Sequence, residues 1–456
     1  MSGPRERLVV VGGDAAGMSA AAQARRLRTA AELEVVVLEQ GDDVSYSACG
    51  IPYWVGGEVP ERDRLIVRTP GEFADRDITV RTGTRAEAID LDAGEVVTRT
   101  GERLGWDRLV IATGGRPTRP PIPGLDAPGV YGVHRLDDGA AIRAAIDAGP
   151  RDRPMRGLVL GGGYIGLEMA EALQRRGLEV TVVLADPLPM QLLDADMGER
   201  VCAAMKAMGM EVHTDQAVRE VLVDAAGRAR GVRTDVGSYD ADLVVLGLGM
   251  GPEVSLAADA GLAIGPTGAV DVDRSQRCRD HPEVFAAGDC AQTFHRVTGE
   301  VTHVALGTHA NKQGRVAGSV IGGRPARFAG VLGTALTRVG DLEVARTGLC
   351  TTQAEEAGFA YRADTIEGTT RAGYYPGADG IVVKLVSERG SGELLGAQVV
   401  GGPGSGKRID VLATAIWAGM TAEDLAGSDL SYAPPFSPTY DPVVVAARAV
   451  SRTEQG

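Results

Sequence analysis

An α/β fold class is predicted by two apolar runs that each end in a glycine-rich turn and continue into a helical pattern. Residues 12–17 (GGDAAG) follow the apolar run 8–11, and residues 161–166 (GGGYIG) follow the run 158–160. Each turn leads into a helix and then a second strand, so each belongs to a βαβ unit. After Gly323 the pattern changes to alternating apolar strands and one long helix. The sequence therefore predicts two Rossmann-like dinucleotide-binding domains followed by a C-terminal α+β interface domain.

The first glycine-rich turn has the residues that a dinucleotide requires near its phosphates. Its candidate cofactor-binding residues are small: Gly12, Gly13, Ala16 and Gly17. Small residues let the backbone approach a pyrophosphate at a helix N-terminus. Glu39, about twenty residues further on at the end of the second strand, can bind the ribose hydroxyls. The middle glycine of the usual pattern is replaced by Asp14, which leaves an ordinary tight turn as the alternative. The complete βαβ unit favours dinucleotide binding.

The second turn matches the full glycine pattern and predicts a second nucleotide site. Its candidate cofactor-binding residues are Gly161, Gly163, Tyr164, Ile165, Gly166 and Glu168. The strand that follows is predicted over residues 179–184. Leu184 and Ala185 stand where an acid would select NADH, Asp186 comes two residues late, and no arginine follows to hold a 2′-phosphate. The sequence therefore does not distinguish NADH from NADPH.

Two further strand ends complete the nucleotide-binding part. The buried strand 108–111 ends in the small residues Ala112, Thr113 and Gly114, which let the chain pass close to a flat cofactor. The strand 284–287 runs into Gly288 and Asp289, whose carboxylate can accept hydrogen bonds from a polyol chain.

A single cysteine, Cys49, follows the first βαβ unit in the stretch 45–57 (SYSACGIPYWVGG). The hypothesis is a reactive thiol beside a redox cofactor, and the alternative is a buried structural cysteine. The five cysteines have no CxxC spacing, which excludes a zinc knuckle, makes a secreted disulfide framework improbable and predicts no metal site.

Composition narrows the classes of partner. The 456 residues carry a formal net charge of −14, which argues against a nucleic-acid or anionic-membrane surface but allows a local basic patch. No apolar run reaches the length of a membrane span, and the cysteine usage suits a reducing compartment, so a cytoplasmic location is predicted.

These features together resemble the flavoproteins that have two dinucleotide-binding domains, which implies FAD on the first unit and NADH or NADPH on the second. Residues 45–57, the Tyr-Pro clusters 372–377 and 431–437, and residues 311–315 (NKQGR) refine the resemblance. They resemble the single-cysteine branch of the flavoprotein disulfide reductases, in the pyridine nucleotide-disulfide oxidoreductase family, and most closely the coenzyme A disulfide reductases.

The resemblance implies a domain organisation. It implies an FAD-binding domain formed by residues 1–150 and 265–325, an NAD(P)H-binding domain at 151–264, and a C-terminal dimerisation domain at 326–456. It also implies a cytoplasmic homodimer with shared active sites.

Tyr164 is then predicted to gate the approach of the nicotinamide, with Glu168 beneath it.

The resemblance also implies an activity: NAD(P)H-dependent reduction of coenzyme A disulfide, or of a coenzyme A persulfide or polysulfide, through Cys49. Reductases with a redox pair place the partner cysteine at the position of Val44, so Cys49 would act alone. The partner subunit's Tyr374 and Tyr432 are the candidate proton donors. Gln23, Arg26 and Ser45 are the candidate substrate-binding residues, although Ala48 replaces the asparagine that the family often has before its cysteine.

Two alternatives remain open. An NADH oxidase or peroxidase would use a cysteine sulfenic acid, but the related enzymes place a histidine at the position of Ala15. The other alternative is a flavoprotein redox sensor with slow turnover, which the unusual strand end at Leu184 suggests.

Overall fold

The computed structural model describes residues 5–452, so the predicted outer domain limits at residues 1 and 456 lie outside the described residues. The chain forms two compact units. The first comprises the residues up to Ile51, Pro60–Thr118 and Met250–Val331; the second comprises Pro52–Val59, Arg119–Gly249 and the residues from Leu332 onward. The predicted division into three domains is finer than this and stays a prediction.

The strands are short. In the described part of the chain they are β1 Glu6–Val11, β2 Leu33–Leu38, β3 Thr79–Arg81, β4 Ala86–Asp90, β5 Glu95–Thr98, β6 Arg103–Gly105, β7 Arg108–Ile111, β8 Gly115–Pro117, β9 Val130–Tyr131, β10 Arg156–Leu160, β11 Glu179–Val183, β12 Glu211–His213, β13 Val218–Val223, β14 Ala229–Thr234, β15 Ser238–Asp240, β16 Leu243–Leu246, β17 Met250–Pro252, β18 Arg277–Cys278, β19 His281–Ala286, β20 Thr293–Phe294, β21 Val301–Thr302, β22 Ala335–Val339, β23 Leu342–Gly348, β24 Tyr361–Thr369, β25 Gly380–Glu388 and β26 Leu394–Gly401.

The helices follow the same order. They are α1 Ala15–Leu27, α2 Ile51–Gly56, α3 Pro70–Ala74, α4 Leu136–Asp147, α5 Tyr164–Arg175, α6 Ala195–Ala207, α7 Ser255–Asp259, α8 Gly307–Ile321, α9 Thr351–Glu356, α10 Ile409–Trp417, α11 Ala422–Ala426 and α12 Pro442–Arg452. Single 3₁₀ turns occur at Ala48–Gly50, Arg62–Leu65 and Gly406–Arg408.

The first unit is built on a six-stranded sheet with the order β18-β19-β7-β1-β2-β3. Strands β19, β7, β1, β2 and β3 are parallel, and alternate residues of β1 pack into different cores: Leu8 and Val10 against α1 and α8, Val9 and Val11 against β4–β6. Val11 pairs with both Leu38 and Ile111. The chain segments after β1, β2, β7 and β19 therefore meet at one edge, where ligands bind in such sheets.

The second unit contains a sheet of the same kind and a C-terminal sheet. The first has the parallel order β12-β11-β10-β16-β9, and Leu160 pairs with Val183 and Leu246 at its carboxyl edge. The C-terminal sheet is antiparallel with the order β22-β23-β26-β25-β24, and α10 and α12 pack on it. The predicted fold class, with two Rossmann-like domains and a C-terminal α+β domain, is confirmed.

Two predicted element ends are wrong. The strand predicted to include Leu184 ends at Val183, although the Leu184 N–H still donates to the carbonyl of His213 at the end of β12. The long C-terminal helix predicted over residues 407–419 begins with a 3₁₀ turn, and its α-helical part is Ile409–Trp417.

Candidate functional site

The first glycine-rich turn approaches the neighbouring strand too closely for any side chain at Gly12. Gly12 has a φ of +111°, and a Cβ there would lie 2.0 Å from the carbonyl oxygen of Ala112. A Cβ at Gly17 would lie 1.9 Å from the carbonyl oxygen of Gly12. The turn therefore presents bare backbone at the N-terminus of α1, which is the cradle that a dinucleotide pyrophosphate requires.

Glu39, which directly follows β2, is hydrogen-bonded to this turn. Its carboxylate accepts hydrogen bonds from the backbone N–H groups of Gly13, at 2.8 Å, and Gly41, at 2.7 Å. These bonds hold Oε2 at the glycine-rich turn and Oε1 at the loop that follows β2. The predicted role of Glu39 in binding ribose hydroxyls is compatible with this position and remains a prediction.

The other two predicted strand ends lie at the same edge of the sheet. The N–H of Ala112 donates to the carbonyl of Val11, and the Thr113 hydroxyl donates to the backbone carbonyl of Glu253 at 2.6 Å. Gly288 donates its N–H to the side chain of Gln313 at 2.8 Å. Burial raises the pKa of the Asp289 carboxyl, which follows Gly288 directly. The structure thus brings the candidate FAD-binding residues of the first unit together, and they fit a nucleotide.

Cys49 lies in the 3₁₀ turn Ala48–Gly50, on a loop that is tied to the glycine-rich turn. The Ser45 N–H donates to the Gly13 carbonyl at 2.9 Å, and Ser45 has a φ of +49°. A non-glycine residue in this left-handed region is uncommon and indicates that the surrounding contacts hold the loop. The Ser47 N–H adds a bond to the Leu65 carbonyl at 2.8 Å.

Exposure separates Cys49 from the other cysteines. Cys49 is exposed, whereas the remaining four are buried, namely Cys202, Cys278, Cys290 and Cys350. Val44, at the position of a partner cysteine in two-cysteine enzymes, is buried with 1% of its surface exposed. The alternative of a buried structural cysteine is therefore wrong for Cys49.

The predicted substrate-binding residues on α1 lie beside α8. The Gln23 side chain donates to the Ser319 hydroxyl at 3.1 Å, and the Arg26 guanidinium donates to Gln23 at 3.4 Å. Arg26 is exposed, as are Lys312 and Arg315 on α8. Helix α8 packs against α1, and we call these three exposed cations the α1–α8 basic surface.

The second glycine-rich turn repeats the geometry of the first. Gly161 has a φ of +100°, and a Cβ there would lie 2.3 Å from the carbonyl oxygen of Gly247. A Cβ at Gly166 would lie 2.2 Å from the carbonyl oxygen of Gly161. Gly163 is the N-cap of α5, so bare backbone again faces the place of a pyrophosphate.

Two candidate residues of α5 are buried polar groups. The Tyr164 hydroxyl is buried and has no hydrogen-bond partner among the described residues, and burial raises its pKa to about 12. Burial also raises the pKa of Glu168 to about 7, and the Thr337 hydroxyl donates to its carboxylate at 3.0 Å. A buried hydroxyl without a partner fits a site that a polar ligand completes. The gating role of Tyr164 stays a prediction.

The two candidate proton donors are brought together in the second unit. The Ala372 N–H donates to the Pro434 carbonyl at 3.1 Å, which joins the two Tyr-Pro clusters. Tyr374 and Tyr432 share a side-chain hydrogen bond that raises the pKa of Tyr374. Both rings are exposed, Tyr374 by 79% and Tyr432 by 49%. Exposed aromatic rings of this kind suit a surface that another subunit covers.

Three residues of these sites were missed from the sequence. Asp14 was noted only as a departure from the glycine pattern. Gln313 was noted only within the run 311–315 (NKQGR), and its place beside Gly288 comes from the structure. Gly247 had a signal, because the run 243–249 (LVVLGLG) ends in small residues in the same way as the run before Gly114.

Within residues 5–452 there is no group of three or more His, Cys, Asp or Glu side chains that could hold a metal ion. Over the same range no helix combines the length and the apolar character that crossing a membrane requires.

Comparison with known families agrees with this geometry. Residues 6–314 match the family described as pyridine nucleotide-disulphide oxidoreductase, and residues 334–443 match the dimerisation domain of that family. The chain therefore belongs to the pyridine nucleotide-disulphide oxidoreductase family. It is a flavin-dependent NAD(P)H oxidoreductase, with FAD and a nicotinamide nucleotide as its cofactors.

Individual relatives cover almost the whole chain. A protein of Pyrococcus abyssi named NAD(P)H sulfur oxidoreductase (CoA-dependent) is 38% identical over 98% of both chains. A protein of Methanocaldococcus jannaschii named NADH oxidase is 34% identical over 97% of this chain and 98% of its own. The structure of reduced CoADR-RHD from Bacillus anthracis superposes with a TM-score of 0.94 at 35% identity, covering 99% of this chain and 81% of that one.

Proposed function

We propose that the protein uses NAD(P)H and FAD to reduce the disulfide of a small thiol through Cys49 alone. The substrate would be coenzyme A disulfide or a coenzyme A persulfide or polysulfide. The observation that carries this proposal is the exposed Cys49 on a loop bonded to the first glycine-rich turn, with Val44 in place of a second cysteine. Exposed thiols held beside a cofactor site are the reactive ones in proteins.

The chemistry assigned to Cys49 is a thiol–disulfide exchange. The Cys49 thiolate attacks one sulfur of the substrate disulfide, a mixed disulfide forms on Cys49, and the other thiolate leaves and takes up a proton. When bound, FAD accepts a hydride from NAD(P)H and supplies two electrons to a disulfide. Cleavage of the mixed disulfide by those two electrons returns Cys49 to the thiolate and releases the second thiol.

Tyr432 is the group that we assign to protonate the leaving thiolate, with Tyr374 in support. Tyr374 shares a side-chain hydrogen bond with Tyr432, so its hydroxyl can stabilise the phenolate that Tyr432 becomes when it gives up its proton. An unperturbed phenol, with a pKa near about 10, can protonate a thiolate of pKa near about 8.5 at modest cost. In this proposal the two tyrosines come from the partner subunit of a homodimer.

The α1–α8 basic surface supports a nucleotide-bearing thiol such as coenzyme A as the substrate, since its cations can bind phosphate groups. Pantethine disulfide lacks the nucleotide of coenzyme A disulfide. A comparison of the two substrates therefore separates binding of the nucleotide from reduction of the disulfide. Arg26→Ala should raise the KM for coenzyme A disulfide by about two- to fivefold, the range of one exposed charge contact. It should leave the KM for pantethine disulfide unchanged, and equal effects on both substrates would remove Arg26 from the nucleotide contacts.

The thiol assignment is tested by the release of thiols from coenzyme A disulfide under anaerobic conditions with NADH and with NADPH. Cys49→Ser should retain FAD and its reduction by NAD(P)H but lose disulfide turnover. The matched control is Cys202→Ser, which changes a buried cysteine in the other unit and should retain turnover. Turnover that survives in Cys49→Ser would move the reaction to another residue.

The shared site is tested by mixing two inactive variants. Heterodimers of Cys49→Ser with Tyr432→Phe contain one site with both residues intact if Tyr432 acts across the dimer. Partial recovery of activity after verified subunit exchange supports that arrangement. No recovery means that Cys49 and Tyr432 act within one subunit, or that Tyr432 only packs.

Oxygen reduction is the second candidate, because one relative is named NADH oxidase. Ala15 begins α1 at the position where a histidine stands in the enzymes that use a cysteine sulfenic acid. The oxidase activity predicts rapid oxygen consumption with NADH that Cys49→Ser alters. The disulfide reductase activity predicts slow oxygen consumption that added coenzyme A disulfide suppresses. A redox sensor with slow turnover would instead show slow flavin reduction by both NADH and NADPH.

The cytoplasmic location belongs to the same proposal, since reduced coenzyme A and its disulfide would be turned over in a reducing compartment. Cell fractionation with an antibody to the protein is the test.

A further inference from the structure

Backbone hydrogen bonds define the position of Glu39 in the first unit. Glu39 directly follows β2, and its N–H donates to the carbonyl of Arg81, the last residue of β3, at 2.9 Å. Its carbonyl accepts the N–H of Thr84, three residues after Arg81, at 2.8 Å. The side chain reaches the glycine-rich turn, where the Gly13 N–H donates to the carboxylate at 2.8 Å. An acid at this position can bind the ribose hydroxyls of a dinucleotide.

Leu184 has the same position in the second unit. It directly follows β11, and its N–H donates to the carbonyl of His213, the last residue of β12, at 2.8 Å. Its carbonyl accepts the N–H of Gln216, again three residues further on, at 2.9 Å. The Leu184 side chain is 1% exposed and reaches the second glycine-rich turn, since a Cβ at Gly162 would lie 2.8 Å from its Cδ2. An apolar side chain therefore fills the place of the ribose-binding acid.

The loops that follow the two strand ends support this correspondence. Each loop has a non-glycine residue with a positive φ six positions after the strand-end residue, Ser45 at +49° and Met190 at +57°. The Ser45 N–H donates to the carbonyl of Gly13, and the Met190 N–H donates to that of Gly162, both at 2.9 Å. The correspondence of the two strand-end residues therefore rests on backbone geometry as well as on the order of the residues.

The two segments that meet at the end of β11 carry carboxylates and no lysine or arginine. Residues 184–190 (LADPLPM) include Asp186, and residues 213–216 (HTDQ) include Asp215. The N–H of Asp215 donates to the carbonyl of Asp186 at 3.1 Å, so the two acids lie on adjacent segments. Neither segment therefore supplies the cation that would hold a 2′-phosphate.

We propose that the second nucleotide site binds NADH and NADPH with similar affinity, because Leu184 replaces the residue that would select between them. An acid at this position binds the 2′-hydroxyl of NADH and repels the 2′-phosphate of NADPH. Leucine does neither, and the phosphate gains no ion pair from the two segments. Asp186 and Asp215 leave a weak repulsion, so NADH should be favoured by no more than about fivefold. The inference rests on nicotinamide nucleotide binding by the second unit and is independent of Cys49 and of the disulfide substrate.

The test is isothermal titration calorimetry of the FAD-saturated protein with NAD+ and NADP+, which bind without transferring a hydride. In the wild type the two Kd values should differ by no more than about fivefold. Leu184→Glu should raise the ratio of the Kd for NADP+ to the Kd for NAD+ by about tenfold or more, because hydrogen bonds to the carboxylate and repulsion of the phosphate act in the same direction. Leu184→Gln, which is similar in size but uncharged, should change the ratio much less. The matched control for a new charge on this loop is Leu192→Glu, since Leu192 is 45% exposed, and it should leave the ratio unchanged.

A second variant keeps the test decisive if Leu184→Glu does not fold, which circular dichroism would show. Ala185 is exposed and directly follows Leu184, so Ala185→Arg places a cation beside the strand end without entering the core. It should tighten the binding of NADP+ by about five- to tenfold and leave that of NAD+ unchanged. A wild-type ratio above about fivefold in either direction would overturn the inference. So would an unchanged ratio in Leu184→Glu, or an unchanged Kd for NADP+ in Ala185→Arg.

Discussion

Lys384→Met tests the buried ion pair that joins α6 to the C-terminal sheet within the second unit. The Lys384 ammonium lies 2.9 Å from the Asp194 carboxylate and 2.8 Å from that of Asp196. Asp194 also accepts bonds from the Thr351 N–H and hydroxyl, at 2.9 and 2.7 Å, and from Gln398 at 2.9 Å. Burial raises the pKa of Asp194, but the bonds from Thr351 and Lys384 outweigh it and lower the pKa.

The expected cost follows from how deeply the pair is buried. The Asp194 side chain is 5% exposed and the Lys384 side chain 13%, so removal of the ammonium leaves a carboxylate with little access to water. Breaking such a pair costs about 3–5 kcal/mol, and we expect about 3 kcal/mol because Thr351 and Gln398 still donate to Asp194. For a folding unit of this size that loss lowers Tm by about 6–12 °C.

The assay is thermal unfolding of the FAD-saturated protein at one scan rate, followed by circular dichroism. The control is Lys407→Met, because Lys407 is 74% exposed and its ion pair with Asp410 lies on the surface. Such a pair contributes about 0–1 kcal/mol. Adding Asp194→Asn to Lys384→Met should recover part of the loss, since it removes the stranded charge. The reasoning is refuted if Lys384→Met and Lys407→Met lower Tm equally.

Four further predictions concern the candidate sites. Asp289→Ala should purify with little FAD, and a normal ratio of flavin to protein absorbance would contradict its role. Labelling of the native reduced protein should modify Cys49 much faster than the other thiols, as counted by mass spectrometry of the labelled peptides. Tyr432→Phe should slow disulfide reduction by about 10²–10⁴-fold, whereas Tyr374→Phe, which removes only a supporting hydrogen bond, should have a smaller effect; flavin reduction in stopped flow should be normal in both. Because burial raises the pKa of Glu168 from 4.5 to about 7, stability is lost as pH rises from 4.5 to about 7 and is then constant, so Tm should fall over that range in the wild type and less in Glu168→Gln.

The two nucleotide-binding turns could be predicted from the sequence because only glycine meets their requirements. Gly12 and Gly161 must accept a positive φ and a carbonyl oxygen at a distance that no Cβ tolerates. The strand that supplies each carbonyl is distant in sequence. The spacing of the glycines nevertheless indicates this close approach, since only glycine leaves room for the carbonyl.

Interactions between side chains that are distant in sequence were harder to predict from the sequence. The hydrogen bond between Tyr374 and Tyr432 depends on the Ala372–Pro434 bond that joins their loops, and composition alone indicates only two rigid turns. Asp14 is similar, because burial, together with carboxyls that follow two other strands, raises its pKa. The sequence showed that the glycine was missing but not which groups would surround its replacement.

The two nucleotide sites differ in how each helix N-terminus is occupied, and this difference bears on their roles. Gly163 caps α5 with no side chain, so a nucleotide meets bare N–H groups there. Asp14 caps α1 with a carboxyl group, and burial raises its pKa to about 7. A nucleotide at the first site therefore meets a buried side chain at the start of the helix, together with Glu39 at the end of β2. The second site has Leu184 at the strand end instead of a ribose-binding acid. A cofactor that stays bound suits the first arrangement, and a nucleotide that exchanges in each turnover suits the second.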